Sequence, residues 1–177
     1  MSLLKISGLL FSASVLAACG SSSSNDNNNP GGASSDGRFT PTTMNEEIVM
    51  RDKTTGLEWV NGLAEGSSKT VTGCHPMPPG LSTDGVVTEA NNFCNNLDFA
   101  GHTDWTVPKV GDLQKYTVDM KTAGLTPFYQ NRSCPRVVGF NADKTISTIN
   151  THNTDPIGKV NPWGSSNAGV RCVRKTN

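Results

Sequence analysis

Four cysteines, Cys74, Cys94, Cys134 and Cys172, constrain this chain more than any other feature, because of what stands in front of them. The first 18 residues have the pattern of a secretory signal. Lys5 supplies the positive n-region, Ile6–Leu16 an apolar run of 11 residues, and Ala17-Ala18 the small residues before a cleavage point. A helix needs about 20 apolar residues to span a bilayer, so the run reads as an export signal and not as a membrane span. In an oxidising compartment an even set of cysteines reads as two disulfides, and four cysteines allow three connectivities. A structural zinc site would want paired spacings such as Cys-x-x-Cys. None is present, and His75 beside Cys74 is the only Cys/His adjacency. No metal and no other cofactor is expected.

The fifth cysteine has a different role. Leu16-Ala17-Ala18-Cys19 resembles the bacterial lipobox at all four positions, which implies acylation of Cys19 and a membrane anchor made of lipid. A single acyl chain anchors only marginally, at about 0.8 kcal/mol per buried methylene, whereas the two or three chains of such lipoproteins hold durably. Gly20 follows the cysteine, not an inner-membrane retention Asp, so the expected location is the outer membrane, with the domain surface-exposed and the periplasmic face as the alternative. Residues 19–37 form the lipidated cysteine and a tether. Gly20–Gly37 is mostly Ser, Asn and Gly, with Ala33 its only aliphatic side chain, and cannot bury enough apolar surface to offset the entropy of ordering it. Its root-mean-square reach is about 23 Å.

The folded domain is expected over residues 38–177. Glu47–Asp52 and Leu57–Val60 read as two strands around the polar turn Lys53–Gly56. Asn61–Thr83 has no sustained period and carries Pro76, Pro78 and Pro79, so it reads as a long loop with Cys74 as its tie. Val87, Ala90, Cys94 and Leu97 recur at spacings of three and four, which predicts a helix over Thr88–Leu97. Ser82, Thr83 and Asp84 are candidate N-caps, and Gly101 lies past its end. A short strand Asp104–Val107 is closed by Pro108, and Val110, Leu113, Thr117 and Met120 mark a second helix ending near Gly124. Arg136–Phe140 and Thr145–Ile149 flank the turn Asn141–Lys144. Asn150–Asn167 is a polar loop, and Gly169–Arg174 is the closing strand, with Arg171 on the face opposite Val170 and Cys172. The prediction is a single α+β domain with two helices, short, mostly antiparallel strands and long loops.

These segments, in this order, resemble the Lcl C-terminal domain family. Its Asp-x-x-Thr-Gly-Leu-x-Trp opening is matched by Asp52–Trp59, and its helix with an Ala and a Cys-x-x-Leu by Ala90, Cys94 and Leu97. Its Gly, Asp-Trp-x-x-Pro and following Leu correspond to Gly101, Asp104–Pro108 and Leu113, and its Val-Arg-Cys-Val-Arg ending to Val170–Arg174. The sequence departs from the pattern at Thr106-Val107, where the family has Arg-Leu, and in the Tyr-Trp-Ser-Ser segment, whose nearest counterpart is Pro162–Ser166. The resemblance implies a C-type lectin-like fold. It further implies a Cys94–Cys172 bridge from the helix to the last strand, which leaves Cys74 for Cys134.

The function it implies is a non-enzymatic binding module, an adhesin for sulfated glycans. Candidate contacts are Arg132, Arg136, Lys144, His152, Lys159 and Trp163, since Arg suits sulfate by bidentate hydrogen bonding and an exposed Trp suits the apolar face of a sugar. A calcium-dependent sugar site is not expected, because the Glu-Pro-Asn or Gln-Pro-Asp triplet of such lectins is absent. The second reading is an interaction subunit docked on another envelope or host surface protein. Catalysis is not expected: His75, His102 and His152 are scattered, without a nucleophile context. Nucleic acid is not an expected partner either. Without residues 1–18, 159 remain of 177, with 14 basic against 15 acidic side chains, whereas nucleic acid wants a basic face.

Overall fold

The computed structural model describes residues 32–63, 67–68, 74–128, 134–151, 158, 160–162 and 168–176. Along them run β1 (Phe39–Met44), β2 (Glu47–Asp52), β3 (Leu57–Leu63), β4 (Cys74–Pro76), α1 (Thr83–Asn95) and α2 (Val110–Thr122). These are followed by β5 (Arg136–Phe140), β6 (Ile146–Asn150), β7 (Val160–Pro162), β8 (Ala168–Arg171) and β9 (Val173–Lys175). The strands form two sheets, ordered β1-β2-β3-β9 and β4-β8-β5-β6-β7. All pairings are antiparallel except β5 with β8. The class is α+β, with two helices and two disulfides, as the sequence predicts.

The β2–β3 hairpin forms where the alternation places it. Gly56, at φ 66°, supplies the left-handed residue of its turn. Trp59, on the inward face of β3, is buried and stacks on Tyr116 of α2 with ring centroids 4.4 Å apart. Ahead of this hairpin the chain adds β1, which the sequence analysis missed. Pro41 is tolerated there because β1 lies at a sheet edge. Ser34, assigned to the tether by its composition, is buried: its hydroxyl accepts from the Phe39 N–H at 2.8 Å. Arg38 then ties this entry to two elements, bonding Asp52 at the end of β2 and Asp119 of α2 at 2.8 and 2.7 Å.

Helix α1 starts five residues earlier than the periodicity suggests. Ser82, one of the three candidate caps, accepts from the Gly85 N–H at 3.2 Å. The buried stripe is therefore Val86, Ala90 and Cys94, with Val87 only half-buried, and Leu97 packs from beyond the helix end. Next comes a tight turn in which Phe99 and His102 exchange backbone hydrogen bonds and Ala100 sits at φ 51°. The buried Glu47 carboxylate accepts from the Ala100 N–H at 2.7 Å and holds this strained residue in place. Trp105 is buried and its indole donates to the His102 carbonyl at 2.8 Å. The expected strand Asp104–Val107 is reduced to one bridge, Thr106 to Val173, because Pro108 has no N–H with which to extend the ladder.

The closing strand differs most from expectation. It is two strands in two sheets, β8 and β9, and the chain crosses between the sheets at Cys172. β8 lies between β4 and β5, and all four of its residues are buried, so both of its faces are covered and Arg171 is fully buried. Its guanidinium donates to the Asn61 carbonyl at 3.1 Å and lies 4.8 Å from the centre of the Phe128 ring. Burial pushes its pKa down to about 10, which leaves it charged at neutral pH. β4 and β7 fall within the segments expected to be loops, and β6 is shifted one residue from its predicted span.

The two disulfides are Cys94–Cys172 and Cys74–Cys134, the pairing the family resemblance implies, with Cα separations of 5.6 and 6.4 Å. The core has two parts. One, around Cys94–Cys172 and Trp105, packs α1 against both sheets. The other gathers Phe39, Trp59, Tyr116, Met120 and Phe128 around α2.

Candidate functional site

Helix α2 begins without a side-chain cap. Lys109 occupies the N-cap position with extended backbone (φ −72°, ψ 143°) and has no acceptor to offer the first turn. The N–H groups at the start of an uncapped helix are left for solvent or a bound group, and the helix dipole makes that end favourable for negative charge.

The β5–β6 turn stands opposite. Asn141 and Lys144 close it, with the Asn141 N–H donating to the Thr145 carbonyl at 2.8 Å and the Lys144 N–H to the Asn141 carbonyl at 3.0 Å. Lys144 sits at φ 66°, and the Asp143 carboxylate accepts from the Thr145 hydroxyl and N–H at 2.6 and 3.0 Å. Those two bonds hold the Asp143 carboxyl below the ordinary range, the hydroxyl contributing more.

Helix and turn are fixed to one another. The Phe140 N–H donates to the Pro108 carbonyl at 3.0 Å, and Lys109 bridges to Phe140. Gly139 lets the start of α2 approach the strand, since a Cβ there would lie 3.1 Å from Val110 Cα. Between them is a groove of about 710 Å³, within the range of about 300–1,000 Å³ typical of ligand pockets. Val107, Val110, Phe140 and Ala142 give it apolar walls, while Lys109, Lys144, Asn141 and Asp112 bring polar groups to it. The arrangement can hold an anionic group near the helix start and an apolar face against the walls.

Of the residues singled out from sequence, Lys144 lies at this groove. Arg136 is half-buried at the other end of the same hairpin, where β5 begins opposite Asn150. The length of a five-residue strand, about 13 Å from first to last Cα, keeps those two cations apart. Arg132, His152, Lys159, Trp163 and the lipidation candidate Cys19 lie outside the described residues. Sequence reading missed Lys109, because a helix start with no Ser, Thr, Asp or Asn at the cap gives no local signal of its position.

A smaller cavity of about 260 Å³ lies where Asp36, Arg38 and Phe39 meet Asp119 and Thr122. Its cation is already engaged by Asp52 and Asp119. A second ion network joins three of the motifs. Arg174 of β9 bonds Asp104 at 2.7 Å and pairs with Glu58 of β3, and the Asp104 carboxyl is held below its ordinary range by that guanidinium. Among the described residues, no group of three or more His, Cys, Asp or Glu side chains is placed to hold a metal ion. No helix among them is long and apolar enough to cross a membrane. Comparison with protein families, curated proteins and solved structures found no match to this chain.

Proposed function

We propose that this protein is a non-enzymatic binding module of the bacterial envelope, lipid-anchored through Cys19 at the outer membrane, with a C-type lectin-like domain of the Lcl C-terminal kind that binds anionic glycans. The groove between the start of α2 and the β5–β6 turn is the observation that carries this reading. A sulfate or carboxylate would lie over the uncapped first turn of α2, with Lys109 and Lys144 on either side. The apolar face of the sugar would pack on Phe140 and Val107. A charge at a helix end is worth about 0.3–1 kcal/mol when exposed, so one such contact binds weakly. Many copies on one membrane, meeting a polymer with repeating charges, would convert weak contacts into adhesion by raising the effective concentration.

The test is binding of the chain from Gly20 onward, produced without the lipid, to a glycan array and to heparin at low and physiological salt. Binding to sulfated glycans that fades as salt rises is expected, since exposed charges are screened over about 8 Å at physiological ionic strength. The double variant Lys109→Glu/Lys144→Glu should bind about tenfold less tightly, which corresponds to a loss of about 1.4 kcal/mol. Binding untouched by the double variant would move the site elsewhere. Silence across the array, with recovery of a membrane protein complex from extracts, would favour the docking subunit instead.

A further inference from the structure

The two disulfides occupy unlike places. Cys94 and Cys172 are fully buried and belong to the core between α1 and the sheets, so a reagent reaches their sulfurs only if the helix lifts away. Cys74 and Cys134 belong to neither core cluster. Cys74 begins the three-residue strand β4, whose one strand neighbour among the described residues is β8, and it is 8% exposed, whereas Cys134, Cys94 and Cys172 are all 0% exposed, so Cys74 is the one point of access to either bridge. Cys134 stands just ahead of β5, on the other side of β8. The bridge therefore passes over β8, and it does so at Gly169. A Cβ there would overlap Cys134 Sγ and lie 3.0 Å from Cys74 Sγ.

We propose that Cys74–Cys134 is a redox-sensitive strap, opened by a dithiol reductant while Cys94–Cys172 stays closed, and that opening it loosens β4 from β8 without unfolding the domain. The attacking thiolate of the dithiol meets Cys74 Sγ, which belongs to the less buried of the two residues, and expels the Cys134 thiolate. The second thiol of the reductant then displaces Cys74 and closes the reductant's own disulfide. Two electrons and two protons pass to Cys74 and Cys134, which become thiols. Two thiol sulfurs in contact stand farther apart than two bonded ones. β4, which among the described residues has no strand on its outer side, is the element free to yield. Among the described residues, β4 then keeps its three-residue pairing to β8, the Met77 N–H bond to the Ala168 carbonyl at 2.9 Å, and the contacts of His75. Those are a 2.7 Å bond to Glu89 and a stack on Phe93, both on α1. Short edge strands of this kind open by local fluctuation well below the cost of global unfolding.

The experiment is graded reduction of the full folded chain with dithiothreitol alone, trapping with N-ethylmaleimide, peptide mapping of the labelled cysteines and hydrogen exchange on the same samples. Cys74 and Cys134 should be labelled at a reductant concentration about tenfold below that needed for Cys94 and Cys172. Far-ultraviolet circular dichroism should be unchanged at that step, and exchange should rise for residues 74–77 and not for β5 or β6. The variant Cys74→Ser/Cys134→Ser should fold and show the same raised exchange with no reductant. Labelling of all four cysteines together, prior reduction of Cys94–Cys172, unchanged exchange at residues 74–77, or failure of the double variant to fold would each overturn the proposal.

Discussion

Gly169→Ala is the substitution whose consequence follows most directly from the packing. The glycine is buried in β8 beneath the Cys74–Cys134 bond. An added methyl would lie 2.8 Å from the His75 carbonyl oxygen and 3.0 Å from Cys74 Sγ, and would overlap Cys134 Sγ. While the bond is closed the sulfurs cannot yield cheaply, because it straps Cys74 of β4 to Cys134 ahead of β5 across β8. Overpacking a buried site by one methyl costs about 1–3 kcal/mol in general, and a rigid obstacle places this site at the upper end.

The cost also has a ceiling. The molecule can escape the clash by leaving the bond unmade, and a bridge across 60 residues is worth about 4.3 kcal/mol on the chain-entropy account. Gly169→Ala should therefore destabilise by about 3–4 kcal/mol. A fraction of the purified protein should carry two free thiols, at Cys74 and Cys134. Urea unfolding followed by tryptophan fluorescence measures the first quantity, and thiol titration with peptide mapping the second. In a Cys74→Ala/Cys134→Ala background the same substitution should cost at least about 2 kcal/mol less, and that coupling isolates the contact with the sulfurs. If Gly169→Ala is as stable as the parent with both bridges formed, the sulfurs do not lie over this glycine and the reasoning fails.

Two further substitutions probe the second core and its entry. Tyr116→Phe removes a buried hydroxyl that donates to the Pro127 carbonyl at 2.8 Å, and should cost about 1–2 kcal/mol in urea unfolding while the stack on Trp59 persists. Arg38→Ala strands the buried Asp52 carboxylate. Burial pushes that carboxyl up, but the 2.8 Å bonds from Arg38 and the 2.9 Å bond from the Thr54 N–H outweigh it and leave its pKa below the ordinary value. A depressed folded pKa contributes stability that is full above the unfolded value, about 3.9, and is lost as pH falls through the folded one. The variant should thus be about 2 kcal/mol less stable at pH 7, less than for a fully buried pair because Arg38 is 19% exposed. It should approach the parent as pH falls below the depressed folded pKa of Asp52. A difference that stays constant across an acid titration of thermal unfolding would show that the carboxylate is not the source.

Elements with a long repeat or a strong turn residue were legible in the sequence. β2, β5 and α2 lie where alternation, a hairpin turn and the spacing of Val110, Leu113, Thr117 and Met120 put them. α1 was found with its face rotated, since Val86 and Val87 are equally apolar and only the cap at Ser82 decides which one points inward. β4 and β7 have three residues each, too few for any period to register, and exist because neighbours supply their ladders. The burial of Arg171 was not legible for a related reason. Alternation assumes a sheet with one wet face, and β8 has none. At the groove, Lys144 was visible as a turn cation, whereas Lys109 owes its place to the contact of Phe140 with Pro108, a pairing 32 residues apart in sequence that no local pattern encodes.

Much of this fold converges on residues 168–175. β9 adds the fourth strand to one sheet, β8 stands between β4 and β5 in the other, and Cys172 at the crossing carries the bridge to α1. Gly169 makes room for the second bridge, and Arg174 draws together Glu58 and Asp104. None of these contacts can form before this short segment is present. Until then β4 has no partner strand, and Cys94 lacks its partner 78 residues away. Contacts of such separation are entropically costly to close and form late in folding. The domain should therefore remain open until residues 168–175 dock, and should then complete both sheets and gain its inner bridge together.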